Sequence, residues 1–141
     1  MGLALATSLV EDGWNVVIDG RDETVLNSSA NALRAMQGSG EVHAIAGDVA
    51  DRHHRMALLD AVAGIGRLDL LVNNASALGP SPQPRLADYP IDEFEHVLAV
   101  NLIAPLALLQ STLPMPPERN GKHGSVPPAA APQGHPSGGH T

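Results

Sequence analysis

Cysteine is absent from the 141-residue chain, and aromatic residues nearly so, with one Trp, one Tyr and one Phe. Without thiols there is no disulfide framework and no thiolate metal site. Because hydrophobic residues make up 43% of the chain and aromatics only 2%, aliphatic side chains must form the core. Cations are scarce as well. Eight Lys and Arg stand against fifteen Asp and Glu, a formal net charge of -7, and the cations do not cluster. No basic patch is available to neutralise nucleic-acid phosphates or to bind an anionic membrane surface. The N-terminus lacks the basic-then-apolar form of a signal peptide, and no apolar run reads as long enough to span a bilayer. These absences predict one soluble, cytoplasmic domain with neither nucleic acid nor membrane as partner.

What is present is a regular alternation of two periodicities. Residues 2–12 carry Leu3, Leu5, Ala6, Leu9 and Val10 at the spacing of a buried helix, and Gly13 suits its C-cap. The β-branched run Val16–Ile18, stopped at Gly20, reads as a buried strand. Helical spacing returns over residues 22–38, through Val25, Leu26, Leu33 and Met36. VHAIAGDV reads as a second strand ending at Gly47, residues 51–64 as a helix, and Leu68–Val72 as a third strand. After a Pro- and Gly-rich loop, Asp88 can cap a long helix running through Phe94, Val97, Leu98 and Leu102 towards Leu113. This order predicts an α/β doubly wound parallel sheet covered on both faces. The domain is expected over residues 1–113. From Pro114 the chain turns to Pro, Gly, Ala and His without periodicity, so residues 114–141 are expected to be a disordered tail.

In an open parallel sheet, ligands bind beyond the carboxyl ends of the strands. Three such ends carry polar or glycine-rich stretches: Asp19-Gly20-Arg21-Asp22, Gly47-Asp48-Val49 and Asn73-Asn74-Ala75-Ser76. With VNLIAP at residues 100–105, these motifs over roughly residues 1–120 resemble the short-chain dehydrogenase/reductase family. That family has a Gly-rich turn before the first helix, Asp-Val after the third strand and Asn-Asn-Ala-Gly after the fourth. The resemblance implies a Rossmann-type fold and a nicotinamide dinucleotide.

Position by position, Gly2 corresponds to the last glycine of the pyrophosphate turn, where a side chain would block close packing. Asp48 corresponds to the carboxylate that accepts from the adenine amino group, with Val49 beside the ring. Taken alone, an Asp there also serves as a cap or turn former. Gly20 occupies the position where NAD-preferring members carry an acid. The Arg21 guanidinium one residue on can pair with a ribose 2′-phosphate, so NADP is favoured over NAD; a solvated loop arginine is the alternative. Asn74 and Ala75 would lie along the cofactor, with Ser76 replacing the usual glycine. Asn101 matches a catalytic Asn that holds a water in a proton relay, although a helical Asn can equally be a buried structural amide.

The resemblance also exposes departures. Family members use a Tyr-x-x-x-Lys pair and a Ser on small carbonyl or alcohol substrates, and they are usually homo-oligomers. Here the single tyrosine, Tyr89, is followed four residues later by Glu93, and the single lysine is Lys122. Pro127 and Pro128 take the register of the serines, and a Pro pair cannot sit in a central strand. The first strand and most of the glycine turn would precede Met1. The expectation is therefore an oxidoreductase-type domain truncated at both ends and inactive as written. A late start and a shifted reading frame after Pro114 is one origin, a divergent tail the other. The competing readings are a non-catalytic nucleotide-binding or partner-binding module, and a fragment without function. No metal site is expected: Arg52-His53-His54-Arg55 reads as a solvated helix start, and His123, His135 and His140 are too dispersed to preorganise an ion.

Overall fold

In the computed structural model, residues 2–36 and 40–114 are described. The expected tail, including its histidines and prolines from residue 115 onwards, lies outside them. Two β-branched runs pair into a parallel ribbon: strand β1 (Val16–Gly20) beside β2 (Val42–Ala46), with Val16 opposite Val42 and Gly20 opposite Ala46. Parallel neighbours need a crossover, which helix α2 (Glu23–Arg34) supplies. Its start is fixed by Asp22, whose carboxylate accepts the Val25 N–H at 3.0 Å. Its end is tied to β2, because the Arg34 guanidinium donates to the Val42 carbonyl from Nε at 3.1 Å and Nη2 at 2.8 Å.

Side chains alternate across a strand, and that alternation distributes the helices. Val16 and Val42, with Ile18 and Ala44, pack against Ala6 and Val10 of helix α1 (Gly2–Glu11) and against Ala30 and Leu33 of α2. The opposite face meets helix α3 (Arg52–Ile65), which in turn packs on the C-terminal helix. The sheet is covered on both faces, as the sequence predicts.

Two elements depart from expectation. Leu68–Val72 is not a strand, and the sheet among the described residues has two strands. A cavity of about 1190 Å³ lies between β1 and this run, lined by Val16, Val17 and Ile18 on one side and Leu70, Leu71 and Val72 on the other. Strands must lie about 4.8 Å apart to share a ladder, so a gap of this size leaves the apolar run extended but unpaired. Leu70 and Val72 are consequently 45% and 47% exposed, and Asn73 and Asn74 beyond them are exposed rather than buried.

The long helix also starts later than predicted. Asp88 closes a short 3-10 turn, Leu86–Asp88, and helix α4 spans Ile91–Leu98. Pro90 explains the shift, since a proline pushes the residue before it out of helical conformation, and Tyr89 is extended. Nor is the helix regular. A π-helical segment, Ala99–Ile103, separates α4 from α5 (Ala104–Thr112). Pro105 has no N–H to give the Asn101 carbonyl, and its ring would collide with that carbonyl in an α-helix; a wider turn relieves both problems. Contrary to the sequence expectation, the continuous run Ile91–Thr112 is long and apolar enough to cross a membrane by length and composition. It nevertheless buries Ala104 and Leu108, and it carries Asp92, Glu93 and Glu95 near its start.

Helix α3 begins at Asp51, whose carboxylate accepts the His53 N–H at 2.9 Å. That amide bond, helped by the His53 ring and the Arg55 charge, holds the carboxyl below the ordinary carboxylate value. A depressed native value means the cap contributes fully above the ordinary value and is lost as pH falls through the lowered one. Asp51→Asn keeps an amide acceptor that does not titrate. Thermal midpoints should favour the wild type at neutral pH and converge in acid; a gap that ignores pH would contradict this assignment.

Candidate functional site

Parallel pairing brings the carboxyl ends of β1 and β2 to one edge. The Gly47 N–H donates to the Gly20 carbonyl at 3.0 Å, so the Gly20–Arg21 and Gly47–Asp48 turns are neighbours. The unpaired stretch after Val72 reaches the same edge. All six positions predicted to hold a cofactor, Gly2, Arg21, Asp48, Val49, Asn74 and Ala75, line one large cavity among the described residues. Asn101 does not.

Close packing at Gly2 is visible in the geometry. A Cβ built there would lie 2.7 Å from Nδ2 of Asn74, so the missing side chain is what lets the start of α1 approach the Asn74 amide. Asp48 spends Oδ1 on the Ala50 N–H at 2.8 Å, the turn-forming role open to any Asp in that place. Val49 is buried against Val100 and Ala104. Arg55 Nη1 braces this turn from below by donating to the Val49 carbonyl and, at 2.8 Å, to the Ala50 carbonyl.

Arg21 is exposed, and no hydrogen-bond or ion-pair partner is found for it among the described residues. Two adjacent acids that might have claimed it are otherwise engaged. Asp22 caps α2, and Asp19 Oδ2 meets Nε2 of His54 at 3.3 Å. His54 corrects the expectation of a wholly solvated helix start: its side chain is 5% exposed. Gly47 permits that burial, because a Cβ there would collide with the His54 ring. The pair spans 35 residues and leaves no local signal in the sequence. Among the described residues no cluster of three potential metal ligands occurs.

Asn101 sits in the π-helical segment and engages both ends of its amide. Its Oδ1 accepts the Ala77 N–H and its Nδ2 donates to the Ala77 carbonyl, both at 2.8 Å. This two-point clamp ties the loop after Asn74–Ala75 to the long helix. Tyr89 packs edge-to-face on Phe94 with centroids 5.7 Å apart, a contact at the start of α4. Removing the clamp in Asn101→Ala should cost about 1–2 kcal/mol in unfolding experiments, and should raise hydrogen exchange at the Ala77 amide to that of an open loop. Unchanged protection at Ala77 would contradict the clamp.

Comparison with known proteins is consistent with this layout. The short chain dehydrogenase family profile matches residues 1–127. The chain is 35% identical over 109 residues to the short chain dehydrogenase/reductase dpchG of Colletotrichum higginsianum, covering 77% of this chain and 39% of that protein. It is likewise 35% identical over 127 residues to the Mycobacterium tuberculosis (5R,7aS)-5-hydroxy-7a-methyl-1-oxo-2,3,5,6,7,7a-hexahydro-1H-indene-carboxyl-CoA reductase, covering 89% of this chain and 46% of that one. The chain thus spans less than half the length of both relatives. Among solved structures, a metagenomic short-chain oxidoreductase in complex with NADP superposes with a TM-score of 0.70 at 34% identity, covering 81% of this chain and 50% of that one. NAD+-bound xylitol dehydrogenase gives 0.65 at 27% identity, covering 79% and 42%. With α/β layers, strand-end motifs and profile in agreement over most of its length, the chain belongs to the short-chain dehydrogenase/reductase family.

Proposed function

We propose that these residues form the dinucleotide-holding side of an NAD(P)-dependent oxidoreductase that interconverts a small alcohol and its carbonyl, with NADP favoured over NAD. The observation that carries the reading is the convergence of the six positions on one cavity, with Arg21 unpartnered at its rim. Those residues fit the group. The N–H groups opening α1 at Gly2 suit a pyrophosphate, and the absent Cβ lets that helix start sit close against the Asn74 amide. Arg21 suits a ribose 2′-phosphate, because a guanidinium offers paired donors to phosphate oxygens. Asp48 keeps Oδ2 for the adenine amino group, and the backbone of Asn74 and Ala75 would run along a ribose. When bound, the nicotinamide supplies or accepts the hydride. Asn101 has its side chain bound to Ala77, so in this chain it holds the loop after Asn74–Ala75 against the long helix.

The 141 residues contain no Tyr-x-x-x-Lys pair, so binding without turnover is the behaviour proposed for this chain, in the cytoplasm. Leu102, Ile103 and Leu106, each more than half exposed along the long helix, favour self-association as a second property.

Dihydronicotinamide fluorescence on titration tests the reading. NADPH should bind at least about tenfold tighter than NADH, and Arg21→Ala should erase that margin while leaving NADH unchanged. Equal affinities in the wild type would remove the 2′-phosphate assignment. No binding of either nucleotide would overturn the functional reading altogether.

A further inference from the structure

The carboxylates around Arg21 pose an electrostatic problem for an anionic ligand. Asp19 and Asp48 line the cavity with Arg21, as does Asp22. Three acids against one cation would repel a phosphate dianion, and a free strand-end carboxylate would instead accept from a ribose hydroxyl. Asp22 is offset by its place at a helix N-terminus, where the macrodipole stabilises negative charge. Asp48 has one oxygen engaged by the Ala50 amide. Asp19 would be left as the exposed acid one residue before Gly20, but His54 reaches it from beneath.

We infer that His54 is a specificity-determining residue for the nucleotide: by holding Asp19 Oδ2 through a part-buried hydrogen bond, it keeps that carboxylate oxygen turned from Arg21 and leaves Arg21 to select a 2′-phosphate. The geometry carries this in three parts. Nε2 of His54 lies 3.3 Å from Asp19 Oδ2, within reach of a hydrogen bond in which the ring N–H donates to the carboxylate. The ring is 5% exposed and the carboxylate 30% exposed, so the pair is partly shielded and its orientation is fixed by packing. Finally, Gly47 at the carboxyl end of β2 has no side chain where the His54 ring lies. One ring thus packs under the ends of both strands. Any other residue at 47 would displace the ring and free Asp19.

His54 touches neither ligand nor reacting atoms, so it acts as a positioning residue through Asp19. The inference rests on the 2′-phosphate reading above. Its test uses adenosine 2′,5′-bisphosphate and adenosine 5′-monophosphate on the full 141-residue chain, by calorimetry, with the ratio of their affinities as readout. A purely structural role would lower both affinities together and leave the ratio alone.

His54→Leu should reduce the preference for the bisphosphate by about fivefold or more, leaving the monophosphate within about twofold. His54→Gln, which can still donate to Asp19, should keep most of the preference. Asp19→Asn should restore it in the His54→Leu background yet change it little in the wild type. That last comparison leaves the buried ring in place, so it decides the matter even if His54→Leu fails to fold: a large rise in preference from Asp19→Asn alone would mean the carboxylate was never withdrawn. An unchanged ratio in His54→Leu would overturn the inference while sparing the nucleotide reading. A wild-type chain that binds both probes equally would remove the inference together with the 2′-phosphate assignment, and one that binds neither would overturn the nucleotide reading itself.

Discussion

One hydrogen bond, from the Gly47 amide to the Gly20 carbonyl, closes the parallel pairing at the end where the chemistry gathers. Because β1 and β2 run the same way and in this register, two polar turns emerge side by side. Everything else at the site depends on that adjacency. It places His54 under both strand ends, leaves Arg21 beside the Asp48 turn, and gives the Asn74 stretch a common edge to join. An antiparallel pairing of the same two runs would send the turns to opposite ends of the sheet.

The second constraint is a vacancy. The open space between β1 and Leu68–Val72 explains why an apolar run of good strand character makes no ladder, and why Leu70 and Val72 are left exposed. Strand character is a property of the residues, whereas strand pairing is a relation between two segments. The sequence shows the first through Leu68–Val72 and is silent on the second. The same distinction applies to Asn73 and Asn74, whose surroundings follow from what lies beside the run rather than from the run itself.

Local patterns made much of the fold readable. Aliphatic spacing located α1 to α3, and β-branched runs located β1 and β2, because each signal is set by neighbours within a few residues. Pro90 is as legible in the sequence as Asp88, and its ring forbids what a cap merely favours. Pro105 likewise announces an interruption, and the π-helical segment is the form the interruption takes. At the site, the strand-end turns brought Gly2, Arg21, Asp48, Val49, Asn74 and Ala75 to one cavity, as their motif order implies. What the sequence hides is commitment. Nothing local tells that Asn101 spends its amide on Ala77, that Asp48 spends an oxygen on Ala50, or that Asp19 is claimed by a histidine 35 residues away. Those engagements decide which groups remain for a ligand.

Amide chemical-shift mapping of the labelled chain on addition of NADP+ asks whether the separate strand ends act as one nucleotide site. Perturbations are expected together at Gly2, at Gly20–Asp22, at Asp48–Val49 and at Asn74–Ala75, titrating with a single affinity. Perturbations confined to one of these turns, or scattered along α4 and α5, would contradict a single site.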